Sequence, residues 1–436
     1  MKSNANVLLE ENLEFGFVAH RPDVSHLKAP LGEQLRAFTE FGKETKTIET
    51  EAMTFDGEKM RVPTYVNEFW TSKQRAANSL HEVSYRACFK PQLPRFFIER
   101  LTEAGDIVYD PFMGRGTTAI EAGLLGRIPF GCDVNPLSAV FTRPRLCPPT
   151  VEQVTRRLRE IDWVSAEAGP KELLTFYHPE TLREVCSLRN YLIHRSTAGE
   201  SDPVDDWIRM VAVNRLTGHS PGFFSVYTLP PNQAVSVKAQ QKINEKRSQK
   251  PPRRHVADII IRKSRQLLGD CDNSVRKRLL NVCDEARMLT QEAGSTSQIR
   301  SNEVSLVITS PPFLDVVDYA GDNWLRCWFI GVDPGSVKLT VPKKLEEWQR
   351  VMTEVFQELS RVLRPGGHVA FEVGEVRGGT IKLDAFVVPC GVKAGLKPIL
   401  ILINDQKFTK TANCWGVDNN AKGTNTNRIV VFQKGE

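Results

Sequence analysis

Apolar positions recur at helix and strand periods most clearly in residues 95–135. The stretch PRFFIERLTEAG places Phe96, Phe97 and Leu101 on one helical face and ends at Gly105. It is followed by DIVYD, a short strand, then by TTAIEAGLLGR, a helix after a glycine turn, and then by IPFGCDVN, a second strand. A strand, a helix and a strand in such close succession predict a βαβ unit with parallel strands.

The same alternation returns after residue 279. SLVITSPPF begins as a buried strand, and LEEWQRVMTEVFQELSRVL is a helix with Val351, Val355, Leu359 and Val362 on one side. RPGG breaks that helix, and HVAFEVG is the next strand. The last apolar segments, KPILILIN and RIVVFQK, predict an antiparallel pair at the edge of the sheet.

The pattern divides the chain into four parts. Residues 1–80 are mixed and polar without a strong period, which predicts an N-terminal arm or cap. Residues 81–150 and 279–436 form the two halves of an α/β core. Residues 151–278 are highly charged and mostly helical in pattern, which predicts an inserted helical domain.

Composition narrows the class of protein. A hydrophobic content of 41% and a charged content of 25% are typical of a soluble globular protein. The longest aliphatic run, Ile399 to Ile403, is too short to span a bilayer, and the first residues lack the pattern of a secretory signal. The nine cysteines are scattered singly, which argues against a disulfide framework or a zinc site. We therefore expect a cytoplasmic protein with reduced thiols and no membrane partner.

Positive charge is concentrated in the predicted helical domain. The chain carries a net charge of +6, whereas residues 238–278 contain thirteen basic and four acidic residues. Such a run is either a solvated helical surface or a face that binds phosphates. On the second interpretation, Arg253, Arg254, Arg262 and Lys263 are the candidate DNA-binding residues.

A glycine turn separates the first core strand from its helix. VYDPFMGRGTTAIEA places Gly114 and Gly116 where backbone can approach a ligand and helix amides can face an anionic group. The residues fit a dinucleotide fingerprint loosely, and a plain tight turn would look the same.

The acidic residues around this turn indicate a different ligand from a dinucleotide. Asp110 and Phe112 come just before the glycines, and a carboxylate there would repel a diphosphate but attract an ammonium. Asp133 ends the second strand, where a carboxylate can accept both hydroxyls of a ribose. A ligand with a cationic amine, a carboxylate and a ribose is S-adenosylmethionine.

Two motifs together carry a family resemblance. Asp-Pro-Phe-x-Gly-x-Gly-Thr-Thr at 110–118 resembles the cofactor motif of DNA amino-methyltransferases, and Ser-Pro-Pro-Phe at 310–313 resembles their catalytic motif. ACFKPQLPRFFIERL is similar to the segment that closes over the cofactor in these enzymes, with Phe89 and Pro91 at the matching positions. The resemblance covers roughly 81–150 and 279–436.

The resemblance implies a fold and a set of cofactor-binding residues. The fold is an α/β, Rossmann-like S-adenosylmethionine-dependent methyltransferase fold, with a mostly parallel seven-stranded sheet and an antiparallel edge hairpin, to which the helical domain is added. The acid that contacts the cofactor's adenine is either Asp284 or Glu285. The other cofactor-binding residues implied are Phe89, Pro91, Asp110, Phe112, Gly114, Gly116, Thr117, Thr118, Asp133 and Asn135.

The chemistry of an exocyclic amine explains the Ser-Pro-Pro-Phe motif. The lone pair of such an amine is delocalised into the base, so acceptors must draw its hydrogens out of the ring plane. The Ser310 hydroxyl and the carbonyls near Pro311 and Pro312 can supply them, and Phe313 can stack on a flipped base. A serine at the first position is associated in this family mostly with N4 of cytosine, and N6 of adenine stays open.

The resulting hypothesis is a site-specific DNA cytosine-N4 methyltransferase, as in restriction-modification. Its partners would be double-stranded DNA and a cognate restriction endonuclease as a separate protein. The cofactor motif precedes the catalytic motif, the reverse of many relatives with such a serine motif. The alternatives are a methyltransferase acting on RNA or on protein glutamine, and a non-catalytic nucleic-acid-binding relative. Intact Gly114, Gly116, Asp133 and Ser310 argue against the last of these.

Overall fold

The computed structural model describes residues 29–70, 77–85, 89–164, 169–228, 234–312, 319–337, 342, 344–376, 381–405 and 426–436. Phe313 lies outside these residues. Within them, no helix is long and apolar enough to cross a membrane.

The strands in chain order are β1 (Lys46–Met53), β2 (Lys59–Asn67), β3 (Ile107–Asp110), β4 (Ile128–Cys132), β5 (Arg287–Leu289), β6 (Val304–Thr309), β7 (Leu363–Val373), β8 (Glu375–Val376), β9 (Ile381–Lys382), β10 (Leu396–Asp405) and β11 (Thr426–Lys434).

The α-helices are α1 (Leu31–Arg36), α2 (Gln92–Leu101), α3 (Thr117–Leu124), α4 (Pro136–Leu146), α5 (Val151–Arg159), α6 (Pro179–Thr197), α7 (Pro203–Arg215), α8 (Val237–Lys246), α9 (Val256–Leu267), α10 (Asn273–Cys283), α11 (Tyr319–Ile330), α12 (Leu345–Val362) and α13 (Leu383–Lys393).

The predicted fold is confirmed by the order of the strands. In the described part of the chain the main sheet has nine strands in the order β1-β2-β10-β11-β7-β6-β3-β4-β5, and β8 pairs separately with β9. Seven of the nine, from β10 to β5, form the Rossmann-like sheet of a methyltransferase fold. β3, β4, β5, β6 and β7 are parallel, whereas β11 is antiparallel to both of its neighbours.

The predicted edge position of the last two strands is wrong. β10 and β11 pair antiparallel as expected, but β2 pairs parallel with β10 on its other side, and β1 follows as the edge. The region predicted as an arm or cap therefore contributes a hairpin to the sheet. Most side chains of β1 are exposed and polar, so the strand lacks the apolar alternation that would have revealed it.

Helices cover both faces of the sheet. α12 and α13 pack on one face, with Trp348, Phe356 and Val387 fully buried there. α1 and α2 pack on the other face, where Phe97 is fully buried. The helices of residues 151–283 share one apolar cluster with α3 and α4, so the helical region rests on the cofactor half of the core.

The topology places one cleft at a defined edge. β3 lies between β4 and β6, the point at which the strand order reverses. Ligands of open α/β sheets bind outside the carboxyl ends of the strands at such a point. The glycine turn after β3 and the Ser-Pro-Pro segment after β6 both lie at this edge.

Candidate active site

The glycine turn is held in a conformation that only glycine adopts easily. Gly114 and Gly116 have φ angles of 51° and 79°. A Cβ atom on Gly116 would overlap the side chain of Thr142 on α4, so this position also needs a residue without a side chain. The buried guanidinium of Arg145 donates to the carbonyl of Arg115 between the two glycines. Packing from α4 thus fixes the turn.

Asp133 stabilises the same turn from the next strand. Its Oδ2 accepts from the backbone N–H of Gly114 at 2.8 Å, and its Oδ1 accepts from the N–H of Asn135 at 2.9 Å. Burial raises the pKa of this carboxyl, although the two backbone hydrogen bonds act in the opposite direction. Asp133 therefore shapes the cofactor turn in addition to any contact with a ribose.

Asn135 links this strand end to a residue that the sequence reasoning missed. Its side chain caps α4 through the N–H of Leu137 at 2.8 Å and donates to the Tyr85 hydroxyl at 2.6 Å. The Tyr85 ring lies beside Gly114 and packs edge-on against Phe141. Tyr85 consequently forms a wall of the glycine turn.

Asp110 joins the cofactor turn to the catalytic strand. Its Oδ1 accepts from the Thr309 hydroxyl at 2.6 Å and from the N–H of Phe112 at 3.1 Å. Burial raises the pKa of Asp110 to about 7, even though hydrogen bonds from the Thr309 hydroxyl and the Phe112 N–H favour the charged form. Asp110 therefore titrates near neutral pH, and its carboxyl group is bonded to Thr309, the residue that precedes Ser310.

The first residues of α3 complete this link. The hydroxyl of Thr118 donates to the carbonyl of Ile308 at 3.2 Å, and both residues are fully buried. Thr117 accepts from Nε of Arg115 at 3.2 Å. The predicted cofactor threonines therefore connect α3 to the turn and to β6.

Ser310 is held by a buried carboxylate on the neighbouring strand. Thr309 is opposite Phe371 in the β6–β7 ladder, which places Ser310 beside Glu372. The Ser310 hydroxyl hydrogen-bonds to Glu372, and the Asn427 side chain donates to the same carboxylate at 2.8 Å. Burial raises the pKa of Glu372.

The proline segment after Ser310 is anchored by a tryptophan. Nε1 of Trp348, which is fully buried on α12, donates to the carbonyl of Pro312 at 3.2 Å. Pro311 is buried, whereas Pro312 is exposed. Because prolines offer no competing N–H, this anchor fixes the directions of the adjacent carbonyls.

The two candidates for the adenine contact lie at the other end of their strand. Asp284 and Glu285 are exposed and precede β5, whereas the cleft is at the carboxyl end of that strand. Gln291, just after β5, lies at the cleft instead: its N–H donates to the carbonyl of Asp133 at 3.2 Å. Its buried Oε1 has no hydrogen-bond partner in the described chain. Gln291 was not predicted, because the expected residue was an acid and Gln291 carries an amide.

The segment predicted to close over the cofactor begins α2. Pro91 is the N-cap residue of the helix, and Phe89 is half-buried against the apolar cluster that contains Phe96 and Phe97. Arg95 on the same helix bonds to the buried Glu121 of α3 at 2.9 Å. This ion pair ties α2 to the helix that follows the glycine turn.

The four candidate DNA-binding residues have different surroundings. Arg262 is exposed. Arg253 forms ion pairs with Glu180 and Glu184, and Arg254 is half-buried with its backbone bonded to Thr181. Lys263 is buried. Of the four, Arg253 is paired with two carboxylates, Arg262 is the most exposed, and the guanidinium of Arg254 forms no ion pair among the described residues.

A metal centre has no support among the described residues. No group of three or more His, Cys, Asp or Glu side chains in that part of the chain could hold a metal ion.

Comparisons with known proteins agree with this arrangement. Residues 32–138 match a family model described as DNA methylase. The chain is 22% identical to the type II methyltransferase M.BsoBI of Geobacillus stearothermophilus over 299 residues, covering 60% of this chain and 54% of the relative. It is 28% identical to the type II methyltransferase M.MvaI of Kocuria varians over 128 residues, covering 29% of this chain and 25% of the relative. The chain thus spans about half or less of the length of these relatives.

One solved structure that aligns with this chain is that of a geranyl diphosphate C-methyltransferase from Streptomyces coelicolor. It has 10% sequence identity and a TM-score of 0.32, and the match covers 79% of this chain and 80% of that one. At that TM-score the likeness adds nothing to the fold, which rests on the strand order. The DNA methylase family that the model describes uses S-adenosylmethionine as its methyl donor.

Proposed function

We propose that the chain is an N4/N6 DNA amino-methyltransferase that methylates the exocyclic amine of a flipped DNA base, namely N4 of cytosine. The observation that carries the proposal is the hydrogen bond between Asp110 and Thr309, which joins the glycine turn to the residue before Ser310. A cofactor turn and an amine-orienting serine at one sheet edge are what methyl transfer to an amine requires.

The residues around the glycine turn fit S-adenosylmethionine. The partly exposed Asp133 would accept the ribose hydroxyls, and Gly114 would allow close approach of the ligand. The unpartnered Oε1 of Gln291 would accept a hydrogen bond from the adenine amine, the role first expected of Asp284 or Glu285. Asp110 would favour the positive end of the ligand. When bound, the cofactor supplies an electrophilic methyl group.

The contacts of Ser310 explain how the chain would orient the amine. Because its hydroxyl hydrogen is directed to Glu372, the lone pairs of the oxygen are available to accept a hydrogen from the base. Asn427 keeps the carboxylate in place at 2.8 Å. The carbonyl groups of the Pro-Pro segment, fixed through Trp348, would accept the other amine hydrogen. Phe313 remains the candidate for stacking on the base.

Cytosine is favoured over adenine by the serine at the first position of the motif. N6 of adenine is the alternative acceptor, and the geometry of Ser310 and Glu372 serves either amine. The partners that belong to the proposal are double-stranded DNA and, as a separate protein, a cognate restriction endonuclease.

A rate measurement on Ser310 tests the proposal. Ser310→Ala should lower the rate of methyl transfer to duplex DNA by about 100-fold or more, the usual contribution of a positioned proton acceptor. Glu372→Gln should lower it by a smaller factor, since an amide can still accept the hydroxyl hydrogen. Both variants should bind S-adenosylmethionine with the dissociation constant of the parent.

Ser305→Ala is the matched control, because Ser305 lies on the same strand but bonds to Asp106 at the opposite end, at 2.9 Å. Its rate should equal that of the parent. A Ser310→Ala rate within a factor of two of the parent would show that Ser310 does not orient the amine.

A further inference from the structure

A cavity of about 490 Å³ lies between the core and the helical region. Its walls come from the 81–85 segment before α2, from Arg115 in the glycine turn, and from α7, α9 and the loop after α7. Tyr85 is a wall that this cavity shares with the glycine turn. The side chains that matter here are His81, Glu82, Arg115, Arg215 and Lys263.

Arg215 is a buried cation without a counter-charge. Its side chain is 9% exposed, and it stacks over the ring of Phe223 at 4.1 Å. Nε and Nη2 donate only to the carbonyl and side chain of Asn214, each at 2.9 Å, and Nη1 makes no hydrogen bond within the described chain. Among the described residues no carboxylate forms an ion pair with Arg215, and no charged group offsets the effect of burial on its pKa. Burial lowers the pKa of Arg215 to about 10.

Lys263 adds a second buried cation to the same cavity. It is 6% exposed, and its nearest carboxylate is that of Glu82 at 3.7 Å, a residue that is half exposed at the rim. Burial and, to a smaller extent, the positive charge of Arg215 lower the pKa of Lys263 to about 8, although Glu82 acts in the opposite direction. The fold therefore keeps two cations close together where water screens them poorly, a cost that an anion would offset.

Two further lining side chains, His81 and Arg115, have hydrogen-bonding groups that are not used within the described chain. His81 is 5% exposed, and its Nε2 lies 2.7 Å from Glu121. Its Nδ1 is buried and has no partner in the described chain. Arg115 uses Nε and Nη1 for Thr117 and Val83, and it has no ion pair among the described residues.

We propose that this cavity binds a phosphodiester group of the DNA, an inference that rests on the proposed function. Guanidinium groups match the geometry of phosphate oxygens, and Arg115 and Arg215 reach the cavity from the core and the helical region. Asp110 and Asp133 are not among the residues that line the cavity, so the cavity lies next to the cofactor turn but is separate from it. A phosphate held there would fix the DNA strand beside the cleft that receives the flipped base.

Binding of a mixed-sequence duplex, followed by fluorescence anisotropy at several salt concentrations, tests the assignment on the full chain. Arg215→Gln and Lys263→Gln should each weaken binding at least about tenfold, the effect of losing a charge-assisted hydrogen bond. Each should also flatten the slope of log affinity against log salt by about 0.9. Arg215→Lys should keep the slope of the parent. Because a buried unpaired charge is removed, the melting temperature of Arg215→Gln without DNA should not fall.

Two controls and two competing anions sharpen the result. Arg350→Gln removes an exposed cation of α12, paired only with Glu354, and should leave the slope unchanged. Arg262→Gln removes the exposed neighbour of Lys263. If this variant is the one among those tested that flattens the slope, DNA binds along the surface of α9 and the cavity assignment is wrong.

A loss of S-adenosylmethionine affinity in Arg215→Gln, with DNA binding intact, would assign the cavity to the cofactor carboxylate. If Arg215→Gln and Lys263→Gln bound inorganic pyrophosphate more weakly than the parent but bound the duplex equally well, the cavity would be a site for free phosphates. That result would also overturn the proposal.

Failure of the cavity assignment is distinguishable from failure of the proposed function. If the parent binds and methylates duplex DNA while both glutamine variants match its slope, only the cavity assignment falls. If the parent neither binds nor methylates duplex DNA, both fall.

Discussion

Asp110 is the residue whose ionisation should be visible in cofactor binding. Burial raises its pKa to about 7, so the site holds a mixture of carboxyl and carboxylate at neutral pH. A cationic cofactor favours the carboxylate and releases the proton, so its affinity should rise as pH increases through 7. Between pH 6 and 8 the dissociation constant should fall by up to about tenfold, measured by calorimetry.

Asp110→Asn should abolish this pH dependence, because an amide does not titrate. Asp106→Asn is the matched control: Asp106 lies just before the same strand and is paired with Arg364 at 2.8 Å, away from the cleft. Its variant should keep the pH profile of the parent. A parent affinity that is flat from pH 6 to 8 would show that Asp110 carries no titrating charge next to the cofactor.

The close packing of the glycine turn against α4 predicts a difference in stability between two glycine variants. Gly116 and Gly105 both have left-handed φ angles, 79° and 86°, so alanine strains either position by roughly 1–2 kcal/mol. A Cβ atom at Gly105 would meet nothing within 4 Å, whereas at Gly116 it would overlap the side chain of Thr142. Gly116→Ala should therefore lower the free energy of unfolding by about 1–3 kcal/mol more than Gly105→Ala.

Chemical denaturation of the two variants measures this difference. Gly116→Ala should also lose cofactor affinity, since the overlap pushes the turn away from α4, and Gly105→Ala should not. Equal stabilities for the two variants would mean that α4 does not restrain the turn.

The core strands and helices could be predicted from the sequence because their periods are strong. β3, α3 and β4 follow alternating or helical apolar patterns around two glycines, and all three occur where they were predicted. β1 and β2 were missed; most side chains of the edge strand β1 are exposed and polar, which weakens the apolar alternation of the hairpin. Within the predicted helical domain, α8 and α9 are separate helices because two prolines at 251–252 lie between them.

The site could be predicted in part for a similar physical reason. Motif residues such as Asp110, Asp133 and Ser310 stand directly at strand ends, so the parallel topology brings them to one edge. Glu372 was not predictable, because it lies inside an apolar strand and only the register of β6 and β7 places it beside Ser310. Tyr85 likewise depends on a contact between distant segments.

Across the whole molecule, some basic side chains of the helical region form ion pairs within the protein, whereas others do not. Arg253 is neutralised by Glu180 and Glu184, whereas Arg262 is exposed and Lys263 faces the cavity. Replacing Arg253, Arg254, Arg262 and Lys263 with Ala should therefore flatten the salt slope of DNA binding by up to about three units rather than about four, because Arg253 is already neutralised.

Arg253→Ala alone separates the two roles. It should leave the salt slope of the parent unchanged and should lower the melting temperature, because Glu184 loses the guanidinium that it bonds at 2.8 Å. A slope reduced by about 0.9 in this single variant would show that Arg253 exchanges its carboxylate partners for a phosphate.

The identity of the methylated base tests the proposed function most directly. The full chain would be incubated with methyl-labelled S-adenosylmethionine and duplex DNA, and the DNA would be digested to nucleosides and separated by chromatography with mass detection. We predict label in N4-methylcytosine with the parent, formed more slowly by about 100-fold or more with Ser310→Ala. Label in N6-methyladenine would contradict the assignment of the base, and unlabelled DNA alongside bound cofactor would contradict the proposed function itself.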